Sequence, residues 1–191
     1  MPTKPRIPKE KILEESLRLL IREGYDNVNI KTIARELKSS TQPISWHFKN
    51  MDGLREELSA YALNFANGIM EPKENEDNPL ICVRDGYIDI AFDYPNLFTF
   101  LFLDGGSKYH LGSLKELGDD QGNELIAEEL SNKLHVSVSK CKNYIEDLIL
   151  FTHGILSFVV SGVINSTKEE VKKRISNVSD VLFENIIKGE K

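Results

Sequence analysis

Apolar residues recur three and four positions apart along nearly the whole sequence, the period of a helix that turns one face to a core. Strand-like alternation is confined to Val28–Ile30, so the pattern predicts an all-α fold. Ile12, Leu13, Leu17, Leu20 and Ile21, followed by Gly24 as a C-terminal cap, predict a helix from Pro8 to Glu23. Ile30, Ile33, Ala34 and Leu37 predict a short second helix, with Asn29 in front as its N-cap. After Lys38, Ser39 and Ser40 comes a third short segment, Thr41–His47, with Ile44 and Phe48 four apart. Further helices are expected at Met51–Ile69, Leu80–Asp93, Asn96–Leu103, Glu124–Leu134, Ser137–Ile164 and Lys168–Lys188. The charged, proline-bracketed stretch 71–79 reads as a surface loop, and the glycine-rich stretch Asp104–Asn123 as a flexible one.

The 191 residues suit one large domain or two modest ones. Two cysteines, Cys82 and Cys141, are too few for a disulfide framework. No apolar run follows the charges of the N-terminal MPTKPRIPKEK, so no secretory signal is expected and a reducing cytoplasm is. The most apolar run, Leu148–Ile164, has 17 residues and contains Thr152, His153, Gly154 and Ser157. A bilayer needs about 20 predominantly apolar residues, so this reads as a soluble helix buried on more than one face. The formal net charge of −6 argues against a nucleic-acid partner only until it is divided along the chain. Met1–Met51 carries ten Lys and Arg against six Asp and Glu, a balance of +4 that leaves −10 for the remainder. A basic head, residues 1–50, and an acidic body, residues 51–191, are therefore expected.

Within the head, two short helices joined by a three-residue turn describe a helix-turn-helix, Ile30–Leu37 and Thr41–His47. Ala34 is small enough to let the second helix cross closely, and Leu37 with Ile44 closes the contact. With Ser40 as N-cap, Pro43 takes the third helical position, where a missing N–H goes unneeded; with Ser39 it would lose a bond. Ser40 is thus the expected cap, which exposes Thr41, Gln42, Ser45 and Trp46 on the turns where recognition helices meet base edges. Gln42 suits bidentate pairing with adenine and Thr41 a thymine methyl, although both also suit an ordinary capping turn. Lys31, Ser45 and Lys49 suit phosphates, with solvated surface as the alternative. Trp46 either lies along the sugar–phosphate backbone or covers the edge of the core. Lys4 and Arg6 read either as a basic arm or as a plain tail.

Ile12…Leu20, Gly24, the run Asn29-Ile-Lys-Thr-Ile-Ala-Arg-Glu-Leu37 and the run Ile44-Ser-Trp-His-Phe48…Leu54 resemble the N-terminal domain of the TetR family of transcriptional regulators, over residues 8–58. The resemblance implies a three-helix DNA-binding domain followed by a helical domain that dimerises and binds an effector. It implies a double-stranded operator as partner, a DNA-facing set of Lys31, Thr32, Ser40, Thr41, Gln42, Ser45, Trp46, His47 and Lys49, and a repressor's role. The sequence departs from the pattern at Lys38, where the family usually has Gly, at Ser45 (Tyr) and at Met51 (Lys).

In the body, Val171, Ile175, Val178, Leu182 and Ile186 form one stripe, widened by Phe183 and Ile187. With Leu156 and Val160 of the preceding helix it is read as the interface of a homodimer, a four-helix bundle across a two-fold axis. A protomer core explains the stripe equally well. Tyr87, Phe92, Phe98, Phe102, Phe151, His153 and Phe158, with Asp89 as a polar handle, are candidates to line a pocket for a small hydrophobic effector; a plain core is the alternative. The four histidines lack HExxH spacing, the cysteines lie 59 positions apart, and no Gly-x-Ser-x-Gly elbow or phosphate-binding glycine loop is present. Neither an enzyme, a metal site nor a cofactor is expected, and no membrane partner. The expected function is a dimeric one-component regulator. The alternatives are a regulator controlled by a protein partner, or a ligand-binding module with a degenerate helix-turn-helix.

Overall fold

The structure, a computed structural model, describes residues 7–72, 78–104 and 121–188 and is all-α among them. Lys4, Arg6, most of the loop expected at 71–79 and residues 105–120 of the glycine-rich stretch lie outside the described residues. The chain divides into two compact units, Met1–Ile69 with Asp89–Tyr109, and Met70–Ile88 with His110–Lys191.

In the first unit, α1 (Lys9–Glu23) buries Ile12, Leu13, Leu17, Leu19 and Leu20. Ser16 is buried among them, its hydroxyl donating to the Ile12 carbonyl (2.7 Å), so no donor is left unmet. Gly24, at φ 81°, ends the helix, and a single 3₁₀ turn, Tyr25–Asn27, leads to Asn29. The Asn29 side chain accepts from the Thr32 N–H (3.0 Å), the expected N-cap of α2 (Ile30–Glu36).

The end of α2 is a Schellman turn: the Lys38 N–H donates to Arg35 O (3.0 Å) and the Ser39 N–H to Ala34 O (2.9 Å). That turn needs one left-handed residue, and Lys38 supplies it at φ 51°. A residue with a Cβ pays about 1 kcal/mol or more for this conformation relative to Gly. α3 follows as Gln42–Phe48, capped at Thr41 rather than at Ser40 as the sequence suggests. The Thr41 carbonyl takes the first helical bond, from the Ser45 N–H (3.1 Å), and Pro43 falls on the second helical position. Every first-turn N–H lacks an intrahelical partner, so proline is tolerated in either register and cannot discriminate between them.

α3 joins α4 (Met51–Met70) through a γ-turn. The Asn50 N–H donates to Phe48 O (2.7 Å) across Lys49, at φ 62° and ψ −53°, a strained conformation for any L-residue. Asn50 then caps α4, accepting from the Gly53 N–H (2.9 Å). A Cβ at Gly53 would collide with the Phe48 carbonyl oxygen, so only glycine fits where the two helices meet. Leu54, Leu58, Ala62 and Ala66, four apart, carry the buried face of α4. After α5 (Pro79–Asp93), α6 (Pro95–Phe98) opens into a π-helical turn, Thr99–Leu103, where the periodicity predicts one continuous helix.

In the second unit, α7 (Gln121–Leu134) and α9 (Lys168–Lys188) both pack on α8 (Val138–Val160). α7 starts three residues before the expected Glu124, taking Gly122 into the helix. Cys141, Ile145, Leu148 and Leu156 of α8 meet Ala127 of α7 and Val171 and Ile175 of α9 in the core. Thr167 and Glu170 close a reciprocal capping box on α9, Thr167 N–H to Glu170 Oε2 (2.9 Å) and Glu170 N–H to Thr167 Oγ1 (3.3 Å). The Thr167 N–H bond to the ionised form is the largest influence holding the Glu170 carboxyl below its ordinary range. α8 stops at Val160, short of the expected Ile164, because Gly162 turns to φ 74° and donates to Val159 O (3.0 Å). The apolar Val163 that prolonged the sequence pattern is 70 % exposed beyond the helix.

Candidate nucleic-acid interface

α3 presents two chemically different faces. Ile44 and Phe48, four apart, are buried, while Thr41, Gln42, Ser45 and Trp46 are exposed. The exposed side chains are polar apart from one aromatic, Trp46, which is 48 % exposed. Among the described residues no side-chain hydrogen bond engages the Gln42 amide, at the start of the helix. The Ser45 hydroxyl donates to Thr41 O (3.2 Å), so it must turn away from the helix to donate to a phosphate.

Ser40 and Lys49 are exposed on either side of α3, Lys31 is exposed on α2, and Thr32 is half-buried beside the Asn29 cap. His47 is half-buried and its Nε2 lies 3.1 Å from the carbonyl oxygen of Ile7, forty residues earlier. A carbonyl only accepts, so Nε2 carries the proton and is committed to holding the start of α1 against α3. The resemblance places His47 in the DNA-facing set; in the structure its Nε2 is bonded to the Ile7 carbonyl within the head.

The cations of the head have a pattern of their own. Lys31 and Arg35 lie four apart on α2 and Lys38 follows just beyond its end, all exposed. Arg35 is shared with Glu36 (3.6 Å). Among the described residues no ion pair or side-chain hydrogen bond engages Lys31, Lys38 or Lys49.

A set of contacts invisible to local periodicity ties the α6 segment to the base of the same unit. The Asn96 side-chain amide donates to Ile21 O (3.0 Å), 75 positions away. Phe100 stacks on Tyr25 with ring centroids 4.8 Å apart, and the Arg55 guanidinium lies 4.2 Å from the Tyr25 ring and 5.5 Å from Phe100. Burial raises the Tyr25 phenol's pKa, partly offset by Arg55.

The residues read as a pocket are shared between the two units. Phe98 is fully buried in the first unit with its ring 5.3 Å from Phe102, and Phe92 is half-buried there. Asp89 belongs to the same unit and is half-buried. In the second unit Tyr87 and His153 come together, the phenol 2.8 Å from Nδ1. Burial pushes the Tyr87 pKa up and the His153 pKa down, so both are neutral near pH 7 and the phenol donates. Phe151 is half-buried, and Phe158 is 52 % exposed.

The stripe read as a dimer interface is likewise divided. Leu156, Val171, Ile175 and Ile186 are buried inside the protomer, with Val160, Val178 and Leu182 half-buried. The four buried residues belong to the protomer's own core, and the half-buried ones leave part of the stripe at the surface. The outward side of α8 carries Leu150 (43 % exposed), Gly154 and Phe158 at spacings of four. Among the described residues nothing lies within 4 Å of where a Gly154 Cβ would be, so none of them requires the glycine. α8 is long and apolar enough to cross a membrane by length and composition, yet only 28 % of its most apolar stretch is buried, which reflects this uncovered side. A glycine inside a long apolar helix was the one sequence signal that pointed to it.

Residues 12–58 match the family of bacterial regulatory proteins, tetR family. Across the whole chain the fold is similar to that of a TetR variant from Acinetobacter baumannii AYE in complex with minocycline, at 15 % identity and a TM-score of 0.63, covering 97 % of this chain and 99 % of that one. It is also similar to BioQ of Mycobacterium smegmatis, at 16 % identity and a TM-score of 0.52, covering 95 % and 98 %. BioQ with its natural double-stranded DNA operator matches at 17 % identity and a TM-score of 0.52, covering 95 % and 99 %. No curated protein matches the chain significantly.

Proposed function

We propose that this TetR-family chain is a one-component transcriptional repressor that binds a palindromic operator as a homodimer and is released by a small apolar effector. The observation that carries the reading is the exposed polar edge of α3, Thr41, Gln42 and Ser45, set on a helix whose other face is buried through Ile44 and Phe48. A base-reading helix has this construction: the packed side fixes its orientation and the outer side meets the major groove. The acidic body and basic head orient the molecule on a polyanion, with residues 1–50 as the DNA-binding domain and 51–191 as the dimerisation and effector domain. BioQ, which shares the fold, is known with its operator.

One head makes few phosphate contacts, so a second copy is needed to hold two half-sites whose centres lie about 34–36 Å apart. Leu150, Gly154 and Phe158 supply the surface for it: a glycine flanked by large apolar side chains lets a partner helix approach closely. For the effector, the neutral Tyr87–His153 pair offers one polar anchor among apolar side chains, the usual composition of such a site. The related fold of TetR holds minocycline. Operator and effector then compete by favouring different conformations, which needs only a few kcal/mol of differential affinity. Such a regulator works in the cytoplasm, where its operator is.

Selection from a random duplex library tests the base-reading role. The protein is expected to recover a two-fold symmetric sequence, and Gln42→Ala to lose discrimination at one base pair of each half-site by about 1–3 kcal/mol. Equal weakening on every sequence would assign Gln42 to the backbone instead.

A further inference from the structure

We infer that Lys38 is a contact to the DNA backbone, and that it stands at its left-handed position for that purpose. The inference rests on the DNA-binding reading above and adds to it a residue that lies outside the recognition helix. Three observations meet at this position. The Schellman turn at the end of α2, Lys38 N–H to Arg35 O and Ser39 N–H to Ala34 O, demands a residue with positive φ, where glycine is favoured and a lysine is strained. Strained backbone that persists against an easy glycine alternative concentrates at functional sites. Lys38 also stands exposed just beyond the end of α2, the helix that carries the exposed Lys31 and Arg35, and among the described residues no carboxylate engages its ammonium.

The third observation is the other end of the recognition helix. Lys49, directly after α3, is the second lysine of the head with positive φ, held by the γ-turn from Phe48 O to Asn50 N. The two lysines bracket α3, exposed, each on a turn whose hydrogen bonds fix the backbone that carries it. A helix lying in a major groove has phosphates along both walls, and a cation beyond each end of the helix is placed for one wall apiece. Such contacts set register and affinity without reading sequence.

Two substitutions separate charge from backbone. Lys38→Gly removes the ammonium and relieves the strain; Lys38→Gln removes the charge and keeps a side chain. Lys38→Gly is expected to melt about 2–4 °C higher than the parent and to bind its selected operator more weakly. The loss is about eightfold per phosphate contact at 0.1 M salt, equal on all sequences, with the slope of log K against log[salt] smaller by about 0.9 per protomer. Lys38→Gln is expected to show the same loss of affinity without the gain in melting temperature. If both variants bind with the parent's affinity and slope, the Lys38 contact is wrong while the DNA-binding reading stands. If the parent itself binds no duplex, both fall.

Discussion

Phe48→Ala is expected to unfold the head at a much lower denaturant concentration than the parent, a loss of about 3–5 kcal/mol. Phe48 is 4 % exposed and ends the buried face of α3. Its ring lies 5.9 Å below the Lys9 ammonium and 6.1 Å from the His47 ring, and its carbonyl closes the γ-turn that starts α4. Truncation therefore leaves a cavity at the point where α1, α3 and α4 meet. The chain's one tryptophan, Trp46, stands two residues away on the exposed side of the same helix, so its emission reports this unit. A urea titration read by Trp46 fluorescence checks the effect. A midpoint equal to that of the parent would remove Phe48 from the core and with it the orientation assigned to α3.

Phe158→Glu is the second large effect, and it separates assembly from folding. The side chain is half exposed in the protomer, so the substitution perturbs the protomer's own stability little. In a dimer built on Leu150, Gly154 and Phe158 the new carboxylates meet across the two-fold axis, dry and close together. Sedimentation is expected to give a monomer with an unchanged helical content. Operator affinity falls by a factor of about 10²–10⁴, the gain that linking two half-site contacts normally provides. A dimer of unchanged stability would place the interface elsewhere on the molecule.

Much of the fold was legible because helical periodicity is local. The apolar spacing in α1, the Asn29 cap and the α2–α3 turn all depend on residues within a few positions of one another, and the structure places them where the pattern does. Errors came where local signals are degenerate. Proline fits the first turn equally well from Ser40 or Thr41, so the cap moved by one residue. Val163 and Ile164 continue the apolar pattern of α8, but Gly162 ends the helix by taking a positive φ. Contacts between distant segments left no trace at all: nothing near Asn96 announces that it binds the Ile21 carbonyl, and nothing near Tyr25 announces Phe100 and Arg55.

The candidate site was legible as a surface and less so as chemistry. Sequence spacing identifies which residues of α3 point outward, since Ile44 and Phe48 must point in. It cannot show that His47 Nε2 is bonded to Ile7 or that the Ser45 hydroxyl is turned to Thr41. In the body, one apolar stripe on α9 has two uses open to it: Val171 and Ile175 are buried in the protomer, while Val178 and Leu182 are half-buried. Uncovered apolar side chains lie on α8 at Leu150 and Phe158 and on α9 at Val181 and Ile187.

The central claim is that two basic heads of one dimer grip the phosphates of a single palindromic site. Its most direct test is the dissociation constant of the full-length protein for a selected palindrome, measured from about 50 mM to 300 mM salt. Six lysines, Lys31, Lys38 and Lys49 from each protomer, lead to a slope of log K against log[salt] of about −5. Scrambling one half-site is expected to weaken binding severely without abolishing the salt dependence. A flat salt response, or equal affinity for the palindrome and an unrelated duplex, would contradict the account.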